Sequence, residues 1–349
     1  MSTARDPLIV PIDAIREARR TIEGVVHRTP VLTSRSAARV AGAAAGIALA
    51  DGRLYLKAEH LQRTGSFKPR GATVRMAGLS PDAATAGVIA VSAGNHAQAV
   101  AWAARAAGVR ATVVMPVGAV RSKVDACRAY GAEVVLFGER IGDTWAEMER
   151  IRDERGLTFL HPFDDADVIA GQGTVGLEIL EDIPDVDVVV VPAGGGGLAC
   201  GIAAAVKETR TGIRVHAVEP EESAALTAAL AADEIVHVQP RSIADGLGAP
   251  FAGPRTLAMG RRYLDGIALV DDASIAGAMR FAAERMKQVL EPAGAAGLAA
   301  VLRGAVPLRD GDRVCIVLSG GNVDLDRLAV LIETGARFTD PADPADPAD

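Results

Sequence analysis

VDVVVVPAGGGGLACGIAAAVK, residues 186–207, is a run of β-branched residues that stops at four consecutive glycines and resumes as an alanine-rich pattern. The unbroken apolar run reads as a strand buried on both faces, and such strands belong to parallel sheets covered by helices. Gly194 to Gly197 let successive backbone N–H groups converge on an anion, and a helix beginning near Leu198 adds the favourable partial charge of its amino end. The stretch therefore predicts an α/β fold in which a phosphate sits between a strand and a helix. Two other readings stay open here. Gly194, Gly196 and Ala199 match the spacing of a dinucleotide fingerprint, with Glu219 at the end of the next strand placed to hold a ribose in a nicotinamide-dependent oxidoreductase. Alternatively, the glycines serve only the close packing of helix on sheet.

Moving outward, the same alternation recurs. GVIAV (87–91), ATVVMP (111–116), AEVVLF (132–137), IRVHAV (213–218) and RVCIVL (313–318) are short β-branched runs separated by helical patterns. They predict parallel sheets with helices on both faces. From Asp272 to Leu290, residues Ile275, Met279, Ala282, Met286 and Val289 recur at helical spacing and predict one packing helix. AGAAAGIALADG (41–52) reads as a loop or a variable helix end. The closing DPADPADPAD, with proline at every third position and nothing apolar to bury, predicts disorder.

Composition narrows the function classes. A chain of 349 residues with 49% apolar content can bury a sizeable core, as two domains or one large one. A net charge of −7 leaves no basic excess for a nucleic-acid backbone, so a small-molecule partner is expected. MSTARDPLIVPID lacks the cationic start and apolar core of a secretory signal, and no segment offers the ~18 uninterrupted apolar residues of a membrane span, so a cytoplasmic protein is expected. Cys127, Cys200 and Cys315 are far apart in sequence and read as buried thiols.

Three further stretches carry chemistry. In GSFKPRGA (65–72), Ser66 reads as a helix N-cap, with Phe67, Lys68 and Pro69 in the first turn. A lysine at a positive helix end beside an aromatic ring should have a depressed amine pKa, which suits it to attack a carbonyl, whereas the bland alternative is a surface lysine. In VSAGNHAQAVAWAA (91–104), a strand runs into a polar loop where Ser92, Asn95 and exposed N–H groups can clamp a carboxylate; helix capping by Asn95 and a structural His96 are the alternative. In VLSGGNVD (317–324), Ser319 falls at the carboxyl edge of a strand, or simply in a turn. An amine nucleophile, an anion cradle, a carboxylate loop and a lone hydroxyl are what a phosphate-bearing aldehyde cofactor acting on an amino acid requires.

With these motifs the sequence resembles the fold-type II pyridoxal-phosphate enzymes, specifically the threonine or serine dehydratase and serine racemase family. The resemblance runs in order through HRTPVLTS, GSFKPRGA, SAGNHAQA, AGQGTVGLEI, PAGGGGLACG, AVEPE, IADGL, EPAGAAGLAA and LSGGNVD, covering roughly residues 15–335. It implies a tryptophan synthase β-like architecture of two parallel-sheet domains: a large cofactor domain of residues 1–86 and 166–338, and a small one of 87–165 carrying the substrate loop, followed by a disordered tail at 339–349. It also implies that Lys68 forms the Schiff base with pyridoxal 5'-phosphate, that Phe67 neighbours its ring, and that Asn95 partners its phenolic oxygen. Gly194, Gly195, Gly196, Gly197 and Leu198 would hold its phosphate, Ser319 would face its ring nitrogen, and Ser92, Ala93, Gly94, Asn95 and His96 would bind the substrate carboxylate.

The implied activity is dehydration and deamination of a 3-hydroxy amino acid, L-threonine first and L-serine second, to a 2-oxo acid and ammonia. The alternatives are a serine or related racemase, or a dehydratase of another 3-hydroxy amino acid. Racemases of the family carry a second serine directly before Gly-Asn-His, where this sequence has Ala93, and a methyl group transfers no proton. The family's divalent-cation site (Mg or Mn) uses a glutamate matching Glu219, but the acid expected two residues beyond Ser223 is Ala225, so weak or absent metal dependence is expected. The resemblance further implies a homo-oligomer. With about 15 residues after the last predicted helix, no appended amino-acid-binding regulatory module is expected.

Overall fold

The computed structural model of the chain describes residues 6–139 and 141–342. Ten strands form two sheets: β1 Val31–Ser34, β2 Leu54–Lys57, β3 Val88–Val91, β4 Ala111–Met115, β5 Glu133–Leu136, β6 Thr158–Phe159, β7 Val188–Pro192, β8 Arg214–Pro220, β9 Gly266–Val270 and β10 Val314–Val317. The larger sheet has the order β1-β2-β10-β7-β8-β9 and the smaller β5-β4-β3-β6. Every pairing is parallel except β1 with β2. β3, β4, β7 and β10 are buried along their whole length, which is why they read as unbroken apolar runs. β1, β6 and β9 escape that reading because they are largely half-exposed, and β2, LYLK, because it holds no β-branched residue.

The topology gathers the motifs. In a parallel α/β sheet, ligands bind outside the carboxyl ends of strands, where the strand order switches. β10 lies between β2 and β7, so the chain leaving each of these three strands emerges on one side of the large sheet, β2 leading toward Lys68, β7 into the four glycines and β10 into Ser319.

The helix Ala166–Asp182 seats the Pro69–Ala77 helix by backbone contact. A Cβ at Gly171 would stand 2.6 Å from Gly71 Cα, and one at Gly71 would stand 2.7 Å from Val168 O. On its other side Gly173 meets the Gly197–Thr209 helix, where a Cβ would come within 2.9 Å of Gly201 O. The small residues of AGQGTVGLEI are thus places where neighbouring helices approach. Beside this contact the fully buried Arg70 guanidinium donates to Glu59 (2.8 and 2.9 Å), Glu178 (2.7 and 2.9 Å) and Thr174 (3.1 Å). Lys57, also buried, adds a second cation 2.7 Å from Glu178.

Three sequence expectations change, and the open reading of 41–52 resolves to a helix end. Ser66 is not the N-cap: it is extended (φ −161°, ψ 165°), the helix starts at Pro69, and Lys68 takes the capping position. The cause is backbone pairing with a distant segment, Phe67 N–H to Ser319 O (3.1 Å) and Gly321 N–H to Gly65 O (2.9 Å), which holds Ser66 extended between them. The helix expected over 272–290 is α-helical only for Asp272–Phe281, continues as one π turn over Ala282–Met286, and stops at Lys287 with φ +58°. Beyond it Val289 is 47% exposed while Glu291 is buried, so the helical stripe ends where the chain turns inward. The alanine-rich 41–52 stretch completes the helix Arg35–Ala45, closes on left-handed Gly46 and passes into a short turn at Ala50–Gly52. The tail expected to be disordered from 339 is ordered at its start: Asp340 is buried and paired with Arg39 (2.7 and 2.5 Å), while its remainder from 343 lies outside the described residues, as do residues 1–5. All three cysteines are buried and free.

The Gly71 and Gly171 contact has a measurable consequence. Gly171→Ala forces a methyl group into the backbone of the Pro69 helix and should lower unfolding stability by about 1–3 kcal/mol, read as a drop in the urea midpoint at unchanged m-value.

Candidate active site

Lys68 is the first residue to place. It ends an extended segment and caps the Pro69–Ala77 helix, with its ammonium nitrogen 2.8 Å from Pro162 O and 5.0 Å from the centre of the Phe67 ring. A carbonyl oxygen and a ring face thus stand where a surface lysine would have water. Burial drives the Lys68 amine down to about 8, and the charge of Glu291 restores only part of the loss.

Around this amine lies a cavity of about 400 Å³, within the range of small-ligand sites. Phe67, Lys68, the whole of Ser92–His96, the whole of Gly194–Leu198 and Ser319 line it, so every cofactor- and substrate-site candidate apart from Glu219 is in one place. The glycine loop leaves β7 and enters the Gly197–Thr209 helix through Gly196, whose φ of +92° excludes ordinary side chains. At Gly195 the limit is space: a Cβ would sit 2.4 Å from the Phe163 ring. The first amides of this 13-residue helix have no partner within it and point toward the loop. A bare backbone cradle at a helix amino end fits a phosphate, and a poorly solvated amine on the same cavity fits the aldehyde of pyridoxal phosphate.

The second wall comes from the small sheet. β3 ends at Val91, and the loop turns on Ser92, whose hydroxyl accepts the Gly94 N–H (3.1 Å), before the helix Asn95–Ala107 begins. His96 is buried with Nε2 2.9 Å from Leu160 O, and burial together with the Lys68 charge pushes its imidazole down to about 3, leaving it neutral. Asn95 donates to Glu291 Oε1 (2.5 Å). Glu291 is itself 3% exposed, and burial raises its carboxyl to about 7. Ser319, buried, donates to Ala293 O (3.3 Å).

Glu291, Phe163, Pro162 and Asn322 were not singled out from sequence. Glu291 and Asn322 lie inside motifs that the resemblance rests on, EPAGAAGLAA and LSGGNVD, where the signal was present but unassigned. Pro162 and Phe163, in LHPFDDAD, carry no periodic or spacing signal.

Glu219 has a different fate. It ends β8, does not line the cavity, and its carboxylate accepts Leu226 N–H (2.8 Å), Thr227 N–H (2.8 Å) and the Thr227 hydroxyl (2.6 Å). It is therefore the amino-terminal cap of the helix Ala225–Ala232, and burial raises its carboxyl to about 7. Both oxygens are spent on protein donors, the neighbouring position 225 offers only a methyl group, and no group of three or more His, Cys, Asp or Glu side chains suited to a metal occurs among the described residues. Of the two carboxylates expected for a cation here, only Glu219 is present, and it is engaged by the helix. The same capping removes the ribose-binding role that the dinucleotide reading required.

The geometry agrees with what the chain is similar to. Residues 22–320 match the family described as pyridoxal-phosphate dependent enzyme. An L-threonine ammonia-lyase of Thermotoga maritima is 42% identical over 328 residues, 94% of this chain and 79% of that one. A catabolic L-threonine dehydratase of Staphylococcus aureus is 39% identical over 335 residues, 95% and 94% of the two chains. Among solved structures, maize serine racemase superposes with a TM-score of 0.85 at 37% identity, covering 93% of this chain and 97% of its own. A threonine deaminase from tomato, Solanum lycopersicum, in its processed form, gives 0.85 at 31%, covering 95% and 89%. None of the helices among the described residues is long and apolar enough to cross a membrane. On the extent of that match, and with a cavity whose residues suit the cofactor, the chain belongs to the family of pyridoxal-phosphate dependent enzymes.

Proposed function

We propose that this enzyme removes the hydroxyl and amino groups of a small 3-hydroxy amino acid, L-threonine first and L-serine second, giving a 2-oxo acid and ammonia. One observation carries the reading: a half-buried amine, Lys68, shares a cavity with a glycine phosphate cradle and a polar loop that bears a methyl group at Ala93. Pyridoxal phosphate, when bound, supplies an aldehyde that condenses with amines and a conjugated ring that withdraws electrons from the α-carbon. Lys68 holds the aldehyde and, once displaced by substrate, takes the α-proton on Nζ, because the freed amine stays beside that carbon. Gly194 to Leu198 hold the phosphate, Asn95 the phenolic oxygen, and the Ser92–His96 loop the substrate carboxylate.

Ser319 is neutral and its hydroxyl is directed to Ala293 O, so the ring nitrogen meets no carboxylate from this residue. Ser319 would thus offer the bound cofactor a neutral hydroxyl, a setting suited to departure of the β-hydroxyl as water, with a second water releasing ammonia and leaving the 2-oxo acid.

Closure of a small domain over the substrate belongs to the proposal. Lys123, on the helix Arg121–Ala129 beside β4 and β5, pairs with Asp245 (3.2 Å), and Ser122 donates to Asp324 (2.8 Å). These contacts support residues 87–165 as a domain that closes over the substrate. The resemblance carries two further parts of the proposal, assembly into a homo-oligomer and a cytoplasmic location.

A racemase is the second reading, favoured by the superposition on maize serine racemase. Ala93 argues for one-sided proton transfer. Ala93→Ser should introduce measurable D-serine from L-serine while lowering the yield of 2-oxo acid; D-serine as the main product of the unmodified enzyme would instead establish the racemase.

Two measurements address Lys68. Lys68→Ala should lower turnover by at least about 10³-fold while phosphate-cradle binding of the cofactor persists, seen as retained but blue-shifted cofactor absorbance. With the amine near 8, roughly one apoenzyme molecule in ten holds it neutral at pH 7. The rate at which apoenzyme captures the cofactor aldehyde should therefore rise about tenfold per unit below pH 8 and level off above it, where an ordinary lysine would keep rising toward about pH 10.

A further inference from the structure

Asn322 joins three of the motifs. It follows Gly320 and Gly321 after β10, and its Nδ2 donates two hydrogen bonds, to Thr64 O (2.6 Å) and to Asn95 Oδ1 (2.8 Å). Asn95 in turn donates its own Nδ2 to Glu291 (2.5 Å). The amide plane of Asn322 lies against Gly65, where a Cβ would stand 2.4 Å from Asn322 Oδ1, and Gly65 has φ +74°. Thr64 precedes it at φ +59°, an unfavourable conformation for a β-branched residue.

The direction of this chain of bonds is set at one end. A backbone carbonyl can only accept, so Thr64 O requires the amino group of Asn322 to face it. That amino group carries two hydrogens, and the second reaches the side chain of Asn95, which must then present its oxygen to Asn322 and its own amino group to the cavity. Held by Glu291 alone, whose carboxyl accepts when ionised and can donate when protonated, the Asn95 amide could turn over and exchange donor for acceptor.

We propose that Asn322 is a positioning residue that fixes the Asn95 amide with its donor toward the cofactor and pins the left-handed Thr64–Gly65 turn that delivers Lys68. The inference rests on reading Asn95 as the partner of the cofactor's phenolic oxygen. Asn322 itself lies behind Asn95, and acts through the orientation it imposes.

An isosteric change separates this role from ordinary turn packing. Asn322→Asp keeps the shape and the preference for turns, but a carboxylate cannot donate to Asn95 or to Thr64 O. The holoenzyme, Asn322→Asp, Asn322→Ala, Asn95→Ala and the double variant Asn95→Ala/Asn322→Asp are compared by pH titration of the bound cofactor's absorption band and by the cofactor dissociation constant, with thermal melting of each apoprotein as the check on folding. Asn322→Asp should match Asn322→Ala, shifting the titration and weakening cofactor retention about tenfold, the size of one lost hydrogen bond to a buried polar group. Most of that effect should vanish in the Asn95→Ala background, because the two residues act as one unit. Wild-type titration and affinity in Asn322→Asp would overturn the assignment, as would an undiminished effect of Asn322→Asp without Asn95. An Asn95→Ala variant that titrates as wild type would overturn the role of Asn95, and this proposal with it. Movement in Asn95→Ala but none in Asn322→Asp would overturn the proposal alone.

Discussion

The chemistry of this protein depends on how one short helix is seated. Pro69–Ala77 carries Lys68 at its amino end, and its distance from the Ala166–Asp182 helix is set by two glycines in backbone contact, Gly71 and Gly171. Close approach alone would permit sliding. The Arg70 guanidinium removes that freedom, because its planar fork is satisfied by Glu59 from the chain after β2 and by Glu178 from the Ala166 helix at once. Such a buried ionic cluster adds little net stability over an apolar core of equal volume, but it is highly intolerant of misplacement. The lysine therefore sits on a support chosen for register.

The second constraint is electrostatic. The cavity holds an amine lowered to about 8, a carboxyl raised to about 7 in Glu291 and an imidazole lowered to about 3 in His96. Burial is the leading cause in all three, so each group is driven toward its uncharged form. Near neutrality the amine and the carboxyl titrate over neighbouring intervals, and the Glu291 charge restores part of what burial takes from Lys68. Negative charge is accommodated on the same cavity where the glycine loop meets the Gly197 helix. One cavity thereby separates a place for a dianionic group from a place where an amine must lose its proton.

Much of this was legible in the sequence. Lys68, Asn95, the four glycines and Ser319 each follow a short buried strand or stand beside small residues, and such local patterns survive any tertiary arrangement that forms a parallel sheet. What escaped detection depends on contacts between distant segments. Ser66 has a favourable side chain for capping, yet pairing of its backbone with Gly320 outweighed that preference. Periodicity from Ile275 to Ala282 was genuine, but nothing in it announced the π turn or left-handed Lys287 that redirect the chain to Glu291. Glu219 looked like a ligand because acids at strand ends often are, and only the fold reveals that the next helix consumes both its oxygens.

The pairing of Ser66 with Gly320 also bears on how the protein comes into being. Lys68 is synthesised early, while the segment that straightens the chain before it, and the Glu291 and Ser319 walls around it, are made more than two hundred residues later. Contacts of such long range form late. On a chain still lacking those walls the amine is hydrated and almost wholly protonated near neutrality, so it reacts with aldehydes slowly. Its pKa falls to about 8 only when the walls made last enclose it, so the full reactivity of Lys68 is a property of the completed fold.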